Sequence, residues 1–267
     1  MQHLFQSWES FSSDISAAAH ALLLSDYDGT LTPIVSRPED AILSPEVREK
    51  ILALAEAPAF SVGIISGRSL PEIKAMVGIE GIYYAGNHGL EIDGPGLKLI
   101  NPAAKATQPE IKDLTRQFSA KLASIEGVIV EDKGLSLSIH YRLVKKDEVN
   151  IVAEIFHQIT SPWLREGKIK VTSGKKVWEV RPPIDWHKGK AVEAIIKEMK
   201  AVLKYERLLT IYLGDDTTDE DVFKVVHRPQ GWSIFVGLEN PSSNADYFLN
   251  SAAEVTTFLS RLLKLKG

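Results

Sequence analysis

Residues 21–25 read Ala-Leu-Leu-Leu-Ser and run straight into Asp26-Tyr27-Asp28-Gly29-Thr30. The apolar run reads as a buried strand, and it delivers two carboxylates and a glycine to the carboxyl end of a sheet. In open α/β folds that edge is where ligands sit. Two acids two residues apart reach one small site if the chain turns between them. One can then bind a cation and attack an electrophile while the other moves a proton. Gly29 opens a backbone conformation closed to other residues, and the N–H groups of Gly29 and Thr30 can point at an anion. Taken without its flanks, the Asp-x-Asp pair reads more commonly as a solvated acidic turn.

The rest of the chain narrows the chemistry by exclusion. With no cysteine there is neither a disulfide framework nor a thiolate metal site, so any metal is held by oxygen or histidine. Oxygen ligands favour a hard cation such as Mg²⁺. A formal net charge of −4 without a long basic run argues against nucleic acid as a partner. The first twenty residues lack the basic start and apolar core of a secretory signal, and no apolar stretch is long enough to span a bilayer. A cytoplasmic protein without a membrane partner is expected.

Apolar runs at 21–25, 61–65, 82–85, 209–213 and 233–236 alternate with helical patterns, which predicts an α/β fold with a parallel sheet. Ser44-Pro45 starts a helix with a capping serine and proline at the first position, and Ser69 with Pro71 repeats the device. Residues 104–175 break the register. Helical patterns at 109–125 and 147–160 flank alternating segments at 128–131 and 135–142, and another alternating segment, 168–171, follows. These predict a smaller inserted α+β module with an antiparallel sheet, set between core segments 1–103 and 176–267.

Further polar clusters fall at predicted strand ends. Ser66-Gly67-Arg68 closes the second strand. The Ser66 hydroxyl with the following N–H groups suits a phosphate oxygen, or serves simply as a turn serine. Lys188 precedes a helical run, and its ammonium suits a phosphoryl oxygen or a carboxylate; a surface lysine is the other reading. Gly214-Asp215-Asp216-Thr217-Thr218-Asp219-Glu220-Asp221 follows a buried strand, where such crowding of acids points to a cation site rather than a solvated face. Asp215 and Asp219, four apart, can approach one ion, and Asp216 is expected to orient Lys188. His88, in Asn87-His88-Gly89, reads first as a structural histidine.

In this order, DYDGT, then Ser66, Lys188 and GDDTTD, the set resembles the four motifs of the haloacid dehalogenase (HAD) superfamily. Within it, the chain resembles the trehalose-6-phosphate phosphatase family. The strings LLSDYDGTLTPI, ISGR, YAGNHGLEI, EDKGLSLSIHYR, WEVRPPIDWHKGKA and YLGDDTTDEDVF carry the likeness. The resemblance implies a Rossmann-like HAD core with an inserted cap and an Mg²⁺-dependent phosphatase acting on trehalose 6-phosphate. Asp26 would be the nucleophile and Asp28 the acid and base. Ser66 and Lys188 would hold the phosphoryl oxygens. Mg²⁺ would lie on Asp26, the Asp28 carbonyl and Asp215, with Asp219 in support. Gly29, Thr30, Gly67, Arg68 and His88 would join the substrate contacts.

In the insert, Glu131 and Glu179 offer acceptors while Lys133, Arg142 and Lys176 offer donors, as a disaccharide reader requires. Salt bridges on an exposed sheet face explain the same residues, and the resemblance favours sugar binding. A phosphatase for sucrose, glucosylglycerol or mannosylglycerate phosphate, a sugar phosphomutase, and a non-catalytic sugar-phosphate sensor are the alternatives. The chain has no room for a glycosyltransferase domain, so a separate trehalose-6-phosphate synthase is the expected functional partner.

Overall fold

The computed structural model describes residues 1–203 and 208–266. In chain order the first stretch holds β1 (Gln2–His3), α1 (Trp8–Ala17), β2 (His20–Ser25), α2 (Pro45–Glu56), β3 (Phe60–Ile65), α3 (Leu70–Val77), β4 (Tyr83–Gly86), β5 (Glu91–Gly94) and β6 (Leu97–Ile100). Then come α4 (Pro102–Ala106), α5 (Gln108–Leu122), β7 (Ile129–Asp132), β8 (Leu137–His140), α6 (Val149–Arg165), β9 (Lys170–Gly174) and β10 (Val177–Arg181). The chain closes with α7 (Lys188–Leu203), β11 (Leu208–Gly214), α8 (Glu220–Phe223), β12 (Gly231–Val236), β13 (Tyr247–Leu249) and α9 (Ala252–Lys266). No helix among the described residues is long and apolar enough to cross a membrane.

Two compact units emerge: Met1–Leu99 with Trp186–Gly267, and Ile100–Asp185. The first is built on a nine-stranded sheet in the order β1-β13-β12-β11-β2-β3-β4-β5-β6. From β1 to β4 neighbouring strands run parallel, and β5 turns back antiparallel to β4. β2 shows why both faces must be covered. Ala21 and Leu23 enter one core with Phe11, Ile51 and Phe258 of α1, α2 and α9, while Leu22 and Leu24 enter another with Val192 and Ile195 of α7. That period of two, apolar on both faces, is the pattern of a doubly covered parallel sheet.

The helix starts hold their positions by different means. Ser44 accepts a bond from the Val47 N–H at 3.2 Å, as a capping serine should. Ser69 makes no side-chain cap, and there Pro71 alone favours the first turn. α3 stops at Gly78, whose left-handed φ of +60° lets its N–H bond the Lys74 carbonyl at 2.9 Å.

The second unit carries an antiparallel sheet, β7-β8-β10-β9, with its own core from α5, α6 and the sheet, including Phe118, Phe156, Leu137, Ile139 and Val180. It exceeds the expected 104–175 at both ends. Val177–Arg181 does not return to the first sheet but forms β10, paired with β8 and β9, so 176–185 goes with the insert. At the other end α4 leans on α5.

Candidate active site

Parallel register brings four chain-distant segments to one sheet edge. Ser25 is level with Leu213 of β11 and Ile64 of β3, and the Asp26 N–H donates to the Leu213 carbonyl at 2.8 Å. Asp26 thus leaves the sheet between Gly214-Asp215 and Ser66. Across β3 the Ser66 N–H donates to the Ala85 carbonyl at 2.8 Å, which ties the third segment to β4 and the 87–89 turn.

At the centre lies Lys188, 3% exposed, at the start of α7. Its Nζ donates to Asp26 Oδ1 at 2.7 Å and Asp219 Oδ1 at 2.8 Å. The Tyr212 hydroxyl donates to the same Asp219 oxygen at 2.6 Å, and Asp219 Oδ2 accepts the amides of Asp215 and Asp216 at 2.9 and 3.1 Å. Burial opposes the lysine charge, yet Asp219 and Asp26 hold it well above the ordinary lysine value. The expectation for Asp216 is therefore corrected. Asp219 orients Lys188, while Asp216 Oδ1 accepts the Thr218 N–H and hydroxyl, both at 2.7 Å. Short local bonds turn Asp216 aside, and the turn out of β11 brings Asp219 back under Gly214.

The charges define what else the pocket takes. One carboxylate oxygen each from Asp26, Asp215 and Asp219 lies within 4.8 Å of the others. Burial, with Asp219 and Asp215 beside it, pushes the Asp26 carboxyl well above the ordinary aspartate value although Lys188 pulls it down. Lys188 thus bonds Asp26 and Asp219, with the Asp215 carboxylate close to both acids. An all-oxygen set of clustered carboxylates fits a hard divalent cation. Asp219 already accepts four hydrogen bonds, which leaves Asp26 and Asp215 as the side chains best able to ligate.

The other motif residues sort by what they touch. Gly29, at φ +91°, approaches Asp215 so closely that an added Cβ would meet Oδ2 at 2.2 Å. Its N–H donates to the Thr32 carbonyl at 2.8 Å, which corrects the expectation that it faces an anion. Thr30 is fully buried. Ser66, also buried, accepts the Arg68 N–H at 3.1 Å on its hydroxyl oxygen, leaving the hydroxyl proton to donate. His88 adopts φ +54° and packs on Gly67, where a Cβ would meet its ring at 2.7 Å. Its N–H donates to the Ser66 carbonyl and the Asn87 N–H to the Arg68 carbonyl, at 2.9 and 2.7 Å. His88 thus knits two strand-end turns together.

Arg68 forks Asp28, with Nε to Oδ2 and Nη2 to Oδ1, both at 2.8 Å. The same Nη2 donates to the Pro38 carbonyl at 2.7 Å, and Nη1 pairs with Glu72. Tyr212 and Glu72 are the two site neighbours that sequence reasoning passes over. Each leaves a signal: a tyrosine in a buried strand needs a partner for its hydroxyl, and Glu72 stands four residues beyond Arg68.

In the second unit, Glu131, Ser138, Glu179 and Thr172 stand abreast across the four strands on the face opposite Leu137, Ile139 and Val180. Lys133 Nζ and the Ser136 hydroxyl donate to Glu179 Oε1 at 3.2 and 3.3 Å, and Glu131 bonds His140 Nε2 at 2.6 Å. Arg142 and Lys176 lie apart from that row. Arg142 donates to the Lys175 carbonyl at 2.7 Å, and Lys176, at φ +69°, holds its ammonium 5.8 Å from the Tyr141 ring centre. A sheet with one apolar and one polar face presents paired donors and acceptors on a rigid support.

A family model described as trehalose-phosphatase matches residues 24–253, a span that runs from the strand before Asp26 to past Asp219 and takes in the polar row of the second sheet. "Probable trehalose-phosphate phosphatase D" of Arabidopsis thaliana is 36% identical over 264 residues, covering 95% of this chain and 70% of that one. "Trehalose 6-phosphate phosphatase RA3" of Zea mays is 38% identical over 257 residues, 91% of this chain and 69% of its own. Among solved structures, the C-terminal domain of Candida albicans trehalose-6-phosphate phosphatase superposes with a TM-score of 0.78 at 27% identity, over 97% of this chain and 98% of that one. A haloacid dehalogenase-like hydrolase from Bacteroides thetaiotaomicron, at 15% identity and a TM-score of 0.63 over 91% of this chain and 99% of its own, shares the fold. With a family model matching most of its length and relatives at 36–38% identity, the chain belongs to the trehalose-phosphatase family.

Proposed function

We propose that the protein hydrolyses trehalose 6-phosphate to trehalose and phosphate through an aspartyl-phosphate on Asp26, with Mg²⁺ as cofactor. The observation that carries the reading is the contact of Lys188 with Asp26 at 2.7 Å, beside the oxygen cluster formed with Asp215 and Asp219. A buried carboxylate at a strand end, pinned by an ammonium, is an oriented nucleophile.

Asp26 attacks phosphorus, and the bond to the sugar oxygen breaks as Asp28 delivers a proton to it. Asp28 then takes a proton from the water that attacks the aspartyl-phosphate, releasing phosphate and restoring Asp26. Lys188 and the Ser66 hydroxyl hold the phosphoryl oxygens as charge shifts among them, which is the main service an enzyme gives to phosphoryl transfer. Mg²⁺, on Asp26 and Asp215 with the Asp28 carbonyl, would supply Lewis-acid charge neutralisation. Asp219 keeps Lys188 and the 215–216 amides in place. Glu131, Glu179, Lys133, Arg142 and Lys176 are assigned to the sugar hydroxyls; the polar row of the second sheet supports the first three, and the names of the relatives support the substrate.

Phosphate release from a panel of sugar phosphates, with and without EDTA, tests the reading. Preference for trehalose 6-phosphate with loss of activity in EDTA is expected. An isomeric sugar phosphate in place of free phosphate, or a preference for another sugar, overturns it.

A further inference from the structure

Arg68 is anchored on three sides before any substrate is considered. Nε and Nη2 grip the two oxygens of Asp28, Nη2 also reaches the Pro38 carbonyl, and Nη1 pairs with Glu72 on the first turn of α3. Four of the five guanidinium donors are thereby engaged within the protein. The plane is backed by Tyr27, whose ring centre lies 5.8 Å from Cζ. Tyr27 is fully buried and donates its hydroxyl to the Ala41 carbonyl at 2.8 Å, so the 38–41 turn is tied to both residues. Arg68 itself is 6% exposed, whereas Asp28 and Glu72 are only half-buried. The buried cation is the fixed point, and the two carboxylates are arranged around it.

That geometry differs from a phosphate-binding arginine, which keeps its fork free for the ligand. Here the fork is spent on Asp28. We propose that Arg68 and Glu72 are positioning residues for Asp28: Glu72 fixes the guanidinium from the far side, and the fork takes one lone-pair site on each Asp28 oxygen and sets the rotamer from which a proton on a remaining site meets the leaving oxygen. The proposal rests on the reading of Asp28 as proton donor given above. It assigns Glu72, which touches neither nucleophile nor phosphoryl group, a part in the proton step alone.

The consequence is a dependence on the leaving group. Proton donation matters most when the departing oxygen is a poor leaving group, as in an alkyl or sugar phosphate. It matters least for p-nitrophenolate, which departs without a proton. The experiment is kcat/KM with full-length protein and saturating Mg²⁺ across p-nitrophenyl, phenyl and simple alkyl phosphates, for wild type, Asp28→Asn, Glu72→Ala, Glu72→Gln and Arg68→Lys. Because kcat/KM stops at the first irreversible step, it reports phosphorylation of Asp26 and not the later hydrolysis.

Glu72→Ala should lose roughly tenfold on phenyl and alkyl phosphates and less than about twofold on p-nitrophenyl phosphate. Glu72→Gln keeps an acceptor oxygen for Nη1 and should recover most of that loss. Arg68→Lys keeps the charge but loses the fork and should follow Glu72→Ala. Melting temperatures of the Glu72 variants within a few degrees of wild type show that the fold is intact. An equal loss on all leaving groups, or none, in Glu72→Ala overturns the proposal while a steep dependence in Asp28→Asn leaves the proton-donor reading standing. A flat dependence in Asp28→Asn overturns both.

Discussion

Gly29 and Asp215, 186 positions apart in sequence, are in such close contact that a methyl group on the glycine would come 2.2 Å from the Asp215 carboxylate. The glycine is required twice over, by that approach and by its own φ of +91°. The motif glycine and the aspartate of the candidate cation site are therefore one feature of the fold. Gly29→Ala should stay folded at a cost of about 1–3 kcal/mol in backbone strain, push Asp215 away, and raise the Mg²⁺ concentration needed for half-maximal activity. A metal titration of the variant that overlays wild type would show that Asp215 does not ligate.

Asp219 accepts from Lys188, Tyr212 and two backbone amides, so all four partners are donors. Asp219→Asn must turn an amide N–H toward one donor pair. The loss should be roughly 3 kcal/mol, toward the lower end for a broken buried pair because Asp26 still holds Lys188. Asp216→Asn keeps the oxygen that Thr218 uses and should cost about 1 kcal/mol or less. Denaturant midpoints for the two variants, measured together, check the ranking. The reverse order would return Asp216 to the role of lysine holder.

Much of this site is legible in the sequence because its strands are unbroken apolar runs with polar residues at their ends. The 21–25, 61–65 and 209–213 runs fall within β2, β3 and β11. The elements that stay hidden are short or charged. β1 and β13 have two and three residues, too few for any period to register. In β10, Glu179 and Arg181 alternate with Trp178 and Val180, a pattern that reads as readily as a polar return segment until its partners are known. Nor does spacing decide between Asp216 and Asp219, since that choice lies in how the chain turns after Gly214. The Arg68 fork is likewise invisible, because Asp28 and Arg68 are forty residues apart and meet only through sheet order.

Alkaline pH should unfold the protein through three buried groups. Burial, reinforced by Asp28, pushes the Tyr27 hydroxyl from 10.0 up to about 12. Tyr212 is raised well above 10.0 by burial and Asp219, and Lys188 well above 10.5 by Asp219 and Asp26 against burial. All three keep protons in the folded chain that the unfolded chain gives up near those ordinary values. Stability from these groups is complete below about pH 10 and falls as pH rises through the folded values. Melting temperatures should hold up to about pH 10 and decline above it, with a shallower decline in Tyr27→Phe. A rise in stability above about pH 10 would contradict the sign.

Chelation should silence turnover and Mg²⁺ should restore it. Asp26→Asn should abolish turnover outright, since it removes the attacking oxygen and a ligand while preserving volume. Asp215→Ala should demand far more Mg²⁺ or lose activity altogether. Calorimetric titration of Mg²⁺ into the phosphate-free protein gives a readout independent of turnover, and unchanged binding in Asp215→Ala would move the cation elsewhere.

The second unit should govern which phosphate ester is used rather than whether one is cleaved. Glu179 holds Lys133 and Ser136, and Glu131 holds His140, on the polar face of the second sheet. Glu131→Ala, Lys133→Ala and Glu179→Ala should each lower kcat/KM for trehalose 6-phosphate about tenfold or more, the equivalent of a lost charged hydrogen bond worth roughly 1.5–3 kcal/mol. Arg142→Ala and Lys176→Ala should have smaller effects, because Arg142 is exposed on the Lys175 carbonyl and Lys176 lies against Tyr141. Hydrolysis of p-nitrophenyl phosphate, which carries no sugar to read, should change little in these variants. Equal loss on both substrates would make the Glu179 and Glu131 pairs structural supports of the sheet. Unchanged use of trehalose 6-phosphate in every variant would assign the polar face to a different sugar.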